Sequence, residues 1–536
     1  MLRPEIINGR GRSAAERQEL SRREKRKEIQ RIGPGLYSGN LLLSPWAIIK
    51  RNAMNVAAAI EPGAVLASRS GFELVPAEGK SEQHIFVSGS TAGTTELETL
   101  TIHRVRGPGP LEGDNPYLGL HLPSFARRCL ENLVPARVRK GGIGIPRTLG
   151  REEVERRLER LCAQEGEARL NEERDRARRI STALSLEAQF EELDSIISAL
   201  LGTRKVTLLE PAARARAAGQ PYDPDVIKRF ALLAEHLSAA AHDYVAEPVP
   251  VGESWAAACF IESYFSNYIE GTRFPLEEAQ RIVFDGYIPH KRPQDGHDVL
   301  ATFRQLADMR LGELGTPPEK LDYRSFREET LSRHLDLMRV RPEVSPGKFK
   351  EERNQAGSTF FVEPDLVEGT LRAAVDIMND TRDPLARALL THFVLVEVHP
   401  FNDGNGRLSR IMMTKALVSC GLSRIVVPTV HRDDYVGTLR LLSKQDRADP
   451  FVRCLKRLQT VSAAAHGATV YEAVERWASA NAFLEPHEAL LRDVDPSAEI
   501  IRGSRDVPMR KALADALEQQ RKSGRMIPIL GGPDEN

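Results

Sequence analysis

The segment "HPFNDGNGRLSR", His399 to Arg410, places a glycine-rich polar turn between two apolar stretches of helical period, and this confines what the chain around it can do. Upstream, "RDPLARALLTHFVLVEV" offers Asp383 as an N-cap and Pro384 at the first helical position. Leu385, Ala388, Leu389, His392, Leu395 and Val396 fall on one face, which predicts a buried helix ending near Val398. Downstream, Leu408, Ile411, Met412, Lys415, Ala416 and Ser419 repeat the spacing, and Gly421 is a stop signal. The polar stretch is therefore a turn joining two core helices.

The first turn of the second helix leaves backbone N–H groups unpaired at the positive end of the helix dipole, which makes an anion site. Gly404 and Gly406 let backbone approach a phosphate without a Cβ in the way, and Asn405 between them offers a side-chain amide. Arg407 and Arg410, at i and i+3, project from one side of the helix start and can fork onto phosphate oxygens, so more than one phosphate is implied. Asp403 is a poor phosphate neighbour without a cation between them, which points to Mg²⁺. His399, with an ordinary pKa of about 6.5, can take a proton near neutrality. Each residue also has a plain structural use: His399 as a helix C-cap, Asp403 as an N-cap, the arginines as surface ion-pair partners. Their joint occurrence is what points to chemistry.

Together they match H-x-F-x-[DE]-G-N-G-R-x-x-R, and on that motif the chain resembles the Fic-domain proteins of the Fic/Doc superfamily over about residues 225–460. The resemblance implies a mainly α fold, a Fic-type helical core with a small β-hairpin flap. It also implies a protein adenylyltransferase that moves AMP from Mg-ATP to a Ser, Thr or Tyr hydroxyl of a target protein. By matched position, His399 would be the catalytic base, Phe401 a core anchor and Asp403 the Mg²⁺ ligand. Gly404, Asn405 and Gly406 would form the anion cradle, with Arg407 a phosphate-side contact and Arg410 a clamp on the γ-phosphate. Gly406, where Doc-type kinases have lysine, favours adenylylation over phosphorylation.

Further upstream, "SNYIEG" puts Ser266 and Glu270 on one side of a helix closed by Gly271. Alone this is a polar helix face with a glycine cap. In front of a Fic motif it resembles the inhibitory motif [ST]-x-x-x-E-[GN], which implies that Glu270 pairs with Arg410 and keeps it from the γ-phosphate. In some relatives the same glutamate activates water to remove AMP, so a deAMPylase or bifunctional enzyme stands as an alternative. "NQAGSTFFVEPDLV" has a Gly-Ser turn before a β-prone run and reads as a hairpin. It is either an ordinary surface hairpin or, by the resemblance, the flap that clamps a target peptide, with Thr359, Phe360, Phe361 and Val362 as contacts. Tyr435 sits where Fic cores have a tyrosine near the nucleotide base, and core packing is the other reading.

The rest of the chain sets bounds. Hydrophobic content of 41%, charged content of 28% and zero formal net charge describe an ordinary globular protein whose charge names no partner. Five cysteines, Cys129, Cys162, Cys259, Cys420 and Cys454, are odd in number and far apart, which fits a reducing cytoplasm rather than a disulfide framework. No apolar run approaches the roughly 18 residues of a membrane helix, and the N-terminus lacks a signal-peptide core, so a cytoplasmic location without a membrane partner is expected.

Residues 1–135 read as a small α+β domain. "SRREKRKEIQR" is a polar helix, solvated or in contact with nucleic acid, and "AVLASRS", "HIFVSGS" and "TLTIHRVRG" are strand-like. On "GPGLY", "LASRSGFEL" and "LTIHRVRG" this part is similar to AbiEi-type antitoxins and regulators, in which a small winged helix leads into an α/β domain. That similarity implies a second reading, a DNA-binding regulator of toxin–antitoxin type with a silent Fic core. Residues 136–210 are expected as a helical connector and "EPAARARAAGQPYDPD" as a boundary. The Fic domain at 225–460 carries its inhibitory helix at about 252–271, and 466–536 form a helical extension. A homo-oligomer is compatible with every part of this reading.

Overall fold

The computed structural model describes residues 5–79, 82–136, 144–239, 244–248, 252–309, 320–357 and 359–495, and it divides into two units, Met1–Pro221 and Tyr222–Asn536. The first unit is α+β. Its seven-stranded sheet is built on the parallel pair Gln83–Gly89 and Leu100–Arg106, in register from Gln83 opposite Leu100 to Gly89 opposite Arg106. Ile85, Val87, Leu100 and Ile102 from this pair pack with Ile48, Ile49 and Val56 of the short helices Pro45–Arg51 and Ala53–Ile60. A separate three-stranded sheet joins Ile7–Asn8, Leu36–Ser38 and Gln30–Gly33. The basic helix Ala14–Lys25 starts in a Ser13/Glu16 capping box, and its neighbourhood pairs Arg12, Arg22, Arg23 and Arg26 with Glu16, Glu19 and Glu28.

"AVLASRS", expected as one extended run, is strand only at Val65–Leu66, and Arg69–Glu73 is a short helix. The ladder stops because Ser68 is claimed from another direction. Its N–H donates to Glu131 Oε2 at 2.6 Å and its carbonyl accepts from Asn132 Nδ2 at 2.9 Å. The helices Arg151–Leu184, interrupted at Gly166 (φ 83°), and Glu187–Leu200 lie in the stretch expected as a connector. Their Leu158, Leu161, Leu193 and Ile196 share one core with Leu130 of the helix Phe125–Asn132. Inside the expected boundary segment, Pro211–Ala217 is helical, capped by Glu210 and anchored by buried Ala212 and Ala213.

Among its described residues the second unit is helical apart from one hairpin and an isolated bridge between Ala246 and Leu422. Its axis is the helix Pro384–Val398, which starts as expected: Asp383 Oδ1 accepts the N–H of Ala386 at 2.7 Å. It is buried on nearly every side and packs against Pro224–Ala239, Val367–Asp380 and the motif helix Asn405–Val418. The helices Pro293–Ala307 and Tyr323–Met338 flank the motif helix, and Glu253–Ile269 crosses it. Beyond Ala448–Ala464, the helix Val470–Ser479 sets Trp477 against Phe265, with ring centroids 5.6 Å apart. The remainder of the expected C-terminal extension, 496–536, lies outside the described residues.

Candidate active site

The turn between the two core helices is stitched from several sides. Asn405 Nδ2 donates to the carbonyl of Phe401 at 2.8 Å while its Oδ1 accepts the N–H of Phe401 at 2.9 Å. One donor of the amide expected to meet a phosphate is thus engaged in closing the turn, on a residue four positions back. His334, from the helix Tyr323–Met338, accepts the N–H of Gly347 at Nδ1, so its Nε2 carries the proton and donates to the carbonyl of Asp403 at 3.0 Å. Its ring stacks on Phe401 at 3.7 Å, and burial drives its pKa down to about 4. Gly404 has φ 78°, and a Cβ there would meet Met338 Sδ at 2.8 Å, so both backbone and space require glycine.

His399 ends the upstream helix in the left-handed region, φ 50°. Its Nδ1 lies 3.3 Å from the carbonyl of Val396. A carbonyl can only accept, so Nδ1 carries the proton and Nε2 keeps a free lone pair. Burial pushes the pKa of His399 down to about 4, helped by Lys350 and opposed by the Val396 carbonyl, Glu270 and Asp403. Asp403 beside it is half exposed, with Oδ1 accepting the N–H of Gly404 at 2.7 Å.

The two motif arginines diverge instead of projecting together. Arg407 is buried with Nη1 at 2.8 Å from Asp298 Oδ2, Nη2 at 3.5 Å from Met338 Sδ and at 3.7 Å from Asp403 Oδ2. Asp298, also buried, is shared with Arg341 Nη2 at 2.9 Å. Helical spacing brings the Cβ atoms of Arg407 and Arg410 together, but long side chains then turn to whichever acid is nearest. Arg410 turns the other way. Its Nε donates to Ser266 Oγ at 2.9 Å, and its Nη2 donates to the carbonyl of Ser266 at 2.9 Å and to Glu270 Oε1 at 2.7 Å. Tyr435, buried behind it, touches the guanidinium and holds His392 Nε2 at 2.9 Å, which places it in the core rather than at an open base site.

Glu270 caps the helix Glu253–Ile269, and Gly271 follows at φ 91°. Burial raises the carboxyl's pKa, but the Arg410 guanidinium outweighs it and leaves the group below its ordinary value, hence ionised. A Cβ built on Gly406 would fall 2.2 Å from Glu270 Oε1. The carboxylate therefore lies against the first turn of the motif helix, where an anion is favoured, and only glycine leaves room for it.

The hairpin pairs Gln355–Ala356 with Thr359–Phe360, and Ser358 lies outside the described residues. Its strand is shorter than the expected Thr359 to Val362. Phe360 is exposed, Phe361 turns to lie parallel to the His399 ring at 3.8 Å, and Val362 enters the core. Sequence reasoning missed Asp298, His334, Lys350 and Asn354. Each lies in an ordinary-looking stretch, and only the tertiary fold brings them to the turn.

Residues 322–417 match the model of the Fic/DOC family. A Fido domain-containing protein of Dictyostelium discoideum is 36% identical over 106 residues, 19% of this chain and 74% of that protein. A Caenorhabditis elegans protein named protein adenylyltransferase fic-1 is 28% identical over 199 residues, 36% of this chain, so the chain spans only 38% of that relative's length. A solved C. elegans Fic-1 fragment, residues 134–508, is 20% identical, with 60% of this chain and 99% of the fragment covered and a TM-score of 0.34. With the motif, the turn that displays it, the family match and the Dictyostelium relative together, the chain belongs to the Fic/DOC family.

Proposed function

We propose that this protein transfers AMP from Mg-ATP to a hydroxyl of a target protein and that Glu270 restrains it at rest. The observation that carries the reading is a proton-free His399 Nε2 beside a helix N-terminus whose anion position a carboxylate already fills. In the reaction, His399 Nε2 takes the proton of the target hydroxyl as its oxygen bonds to the α-phosphorus. The bond from that phosphorus to the bridging oxygen breaks, and pyrophosphate leaves. Positioning and charge neutralisation supply most of the acceleration. The name protein adenylyltransferase, carried by the C. elegans relative, supports the reaction class.

Among the described residues no three His, Cys, Asp or Glu side chains are grouped to hold a metal. Asp403 is one half-exposed carboxylate, which fits Mg²⁺ bound through a single protein ligand and substrate phosphates. There the ion would neutralise phosphate charge. Arg410, released from Glu270, would clamp the terminal phosphate, and Arg407, held on Asp298, would act on Asp403 and the turn.

Incubation of the Glu270→Gly protein with α-labelled ATP should label protein, and His399→Ala in that background should abolish the labelling. Label from γ-labelled ATP instead would mean phosphorylation and sink the proposal. The Glu270 side chain is ionised and about a third exposed, so water can reach it, which also suits removal of AMP. Loss of AMP from a pre-modified target in Mg²⁺ with wild type, and not with Glu270→Gly, would establish that direction.

A further inference from the structure

We propose that Phe361 is a positioning residue for His399, locking the plane of the imidazole and closing one of its faces to water, so that the hairpin and the base move as one piece. This rests on reading His399 as the base. The stack is nearly ideal: ring centroids are 3.8 Å apart and the planes meet at 6°. Phe361 does not reach the histidine from a loose loop. Its N–H donates to the carbonyl of Asn354 at 3.3 Å, across the foot of the hairpin.

Asn354 in turn binds the turn that carries the base, donating from Nδ2 to the carbonyls of Phe401 at 2.9 Å and His399 at 3.3 Å. Its Oδ1 accepts from Lys350 Nζ at 2.7 Å, Lys350 Nζ lies 3.4 Å from the carbonyl of Val398, and the Lys350 N–H donates to the carbonyl of Pro400 at 2.9 Å. Val362, buried next in sequence, and an Arg353–Glu363 ion pair pin the hairpin's far leg. Asn354 and Lys350 thus tie the foot of the hairpin to residues 398–401, on either side of the imidazole.

The ring needs this support because its own backbone gives little. His399 has left the helix, and its single side-chain hydrogen bond among the described residues, at 3.3 Å to Val396, is long. A hydrogen bond at one corner leaves rotation about χ2 open, and a parallel ring removes it. Phe361 offers no donor or acceptor, so it fixes the plane without competing for Nε2. The charged groups around the imidazole are Lys350 from the segment before the hairpin, Glu270 from the end of the crossing helix and Asp403 from the turn. Removing Phe361 alters none of these directly and hydrates one face of the ring.

The test is an NMR titration of ring-labelled histidine in the full chain, with the His399 signal identified by its loss in His399→Ala. Phe361→Ala should raise the His399 midpoint by about one pH unit or more, because water favours imidazolium. Phe361→Tyr should return it, and Phe361→Leu, which keeps cover without a parallel plane, should fall between. In the Glu270→Gly background, Phe361→Ala should lower kcat for transfer at least tenfold with KM for ATP little changed. A His399 midpoint that stays put or falls in a folded Phe361→Ala or Phe361→Leu protein overturns the proposal. The titration does not depend on transfer, so a shifted midpoint without any labelling from ATP would retain the positioning role and reject adenylylation.

Discussion

Glu270→Gly is the sharpest perturbation this site allows, since one carboxylate both holds Arg410 and rests against Gly406. The magnitude follows from what the substrate must displace. An exposed ion pair is worth up to about 1 kcal/mol, and removing a partner from a fully buried one costs about 3–5 kcal/mol. Arg410 is buried, but the Glu270 side chain is about a third exposed, so the 2.7 Å contact belongs between these limits, at about 2 kcal/mol. If ATP must first undo that contact, about one molecule in thirty is competent at any moment, and Glu270→Gly should raise initial transfer about thirtyfold. Ser266 still holds Arg410 through Oγ and the carbonyl, so the guanidinium stays in place. The assay is initial-rate incorporation from α-labelled ATP at a fixed concentration well below KM, with Glu270→Gln as the second variant. Gln keeps the bulk against Gly406 and loses the charge, so it should gain less than Gly. Equal rates for wild type and Glu270→Gly would refute the reasoning, and so would a Gln variant faster than Gly.

Two further outcomes rest on the same geometry. Asp298→Asn leaves Arg407 and Arg341 facing a neutral buried group, and about 3 kcal/mol should be lost, seen as a fall of about 5–10 °C in Tm; a change under about 1 °C would show that the pair is not held as described. His334 is held neutral with its pKa at about 4 against an ordinary 6.5, so the unfolded chain takes up the proton first as pH falls. The stability this group contributes is therefore complete above about pH 6.5 and lost as pH drops toward 4, by about 3 kcal/mol, and urea midpoints should decline less steeply across that range in His334→Gln than in wild type.

Much of the site could be read locally. Asp383, Pro384 and the apolar period fix where the first helix begins and ends, because capping and helical spacing are decided by neighbours in the chain. The glycines at 404 and 406 likewise announce a turn with room for close approach. The direction of long or amphoteric side chains could not be read this way. Arg407 goes to Asp298 and Tyr435 lies behind Arg410, and each choice depends on a partner supplied by another helix. In the first unit, "AVLASRS" leaves the sheet at Ser68 for the same reason: its backbone is claimed by Glu131 and Asn132, more than sixty residues away.

By itself, then, the sequence determined a helix–turn–helix with an anion-binding start, a histidine at its mouth and a glutamate at helical distance from a serine. Covalent neighbours and a 3.6-residue period suffice for that. Only the tertiary structure decided that Glu270 rests against Gly406, that Asp298 takes Arg407 and that Phe361 lies flat on His399. Those contacts join residues 38 to 136 positions apart, and burial, charge pairing and packing across helices select them without any local signal.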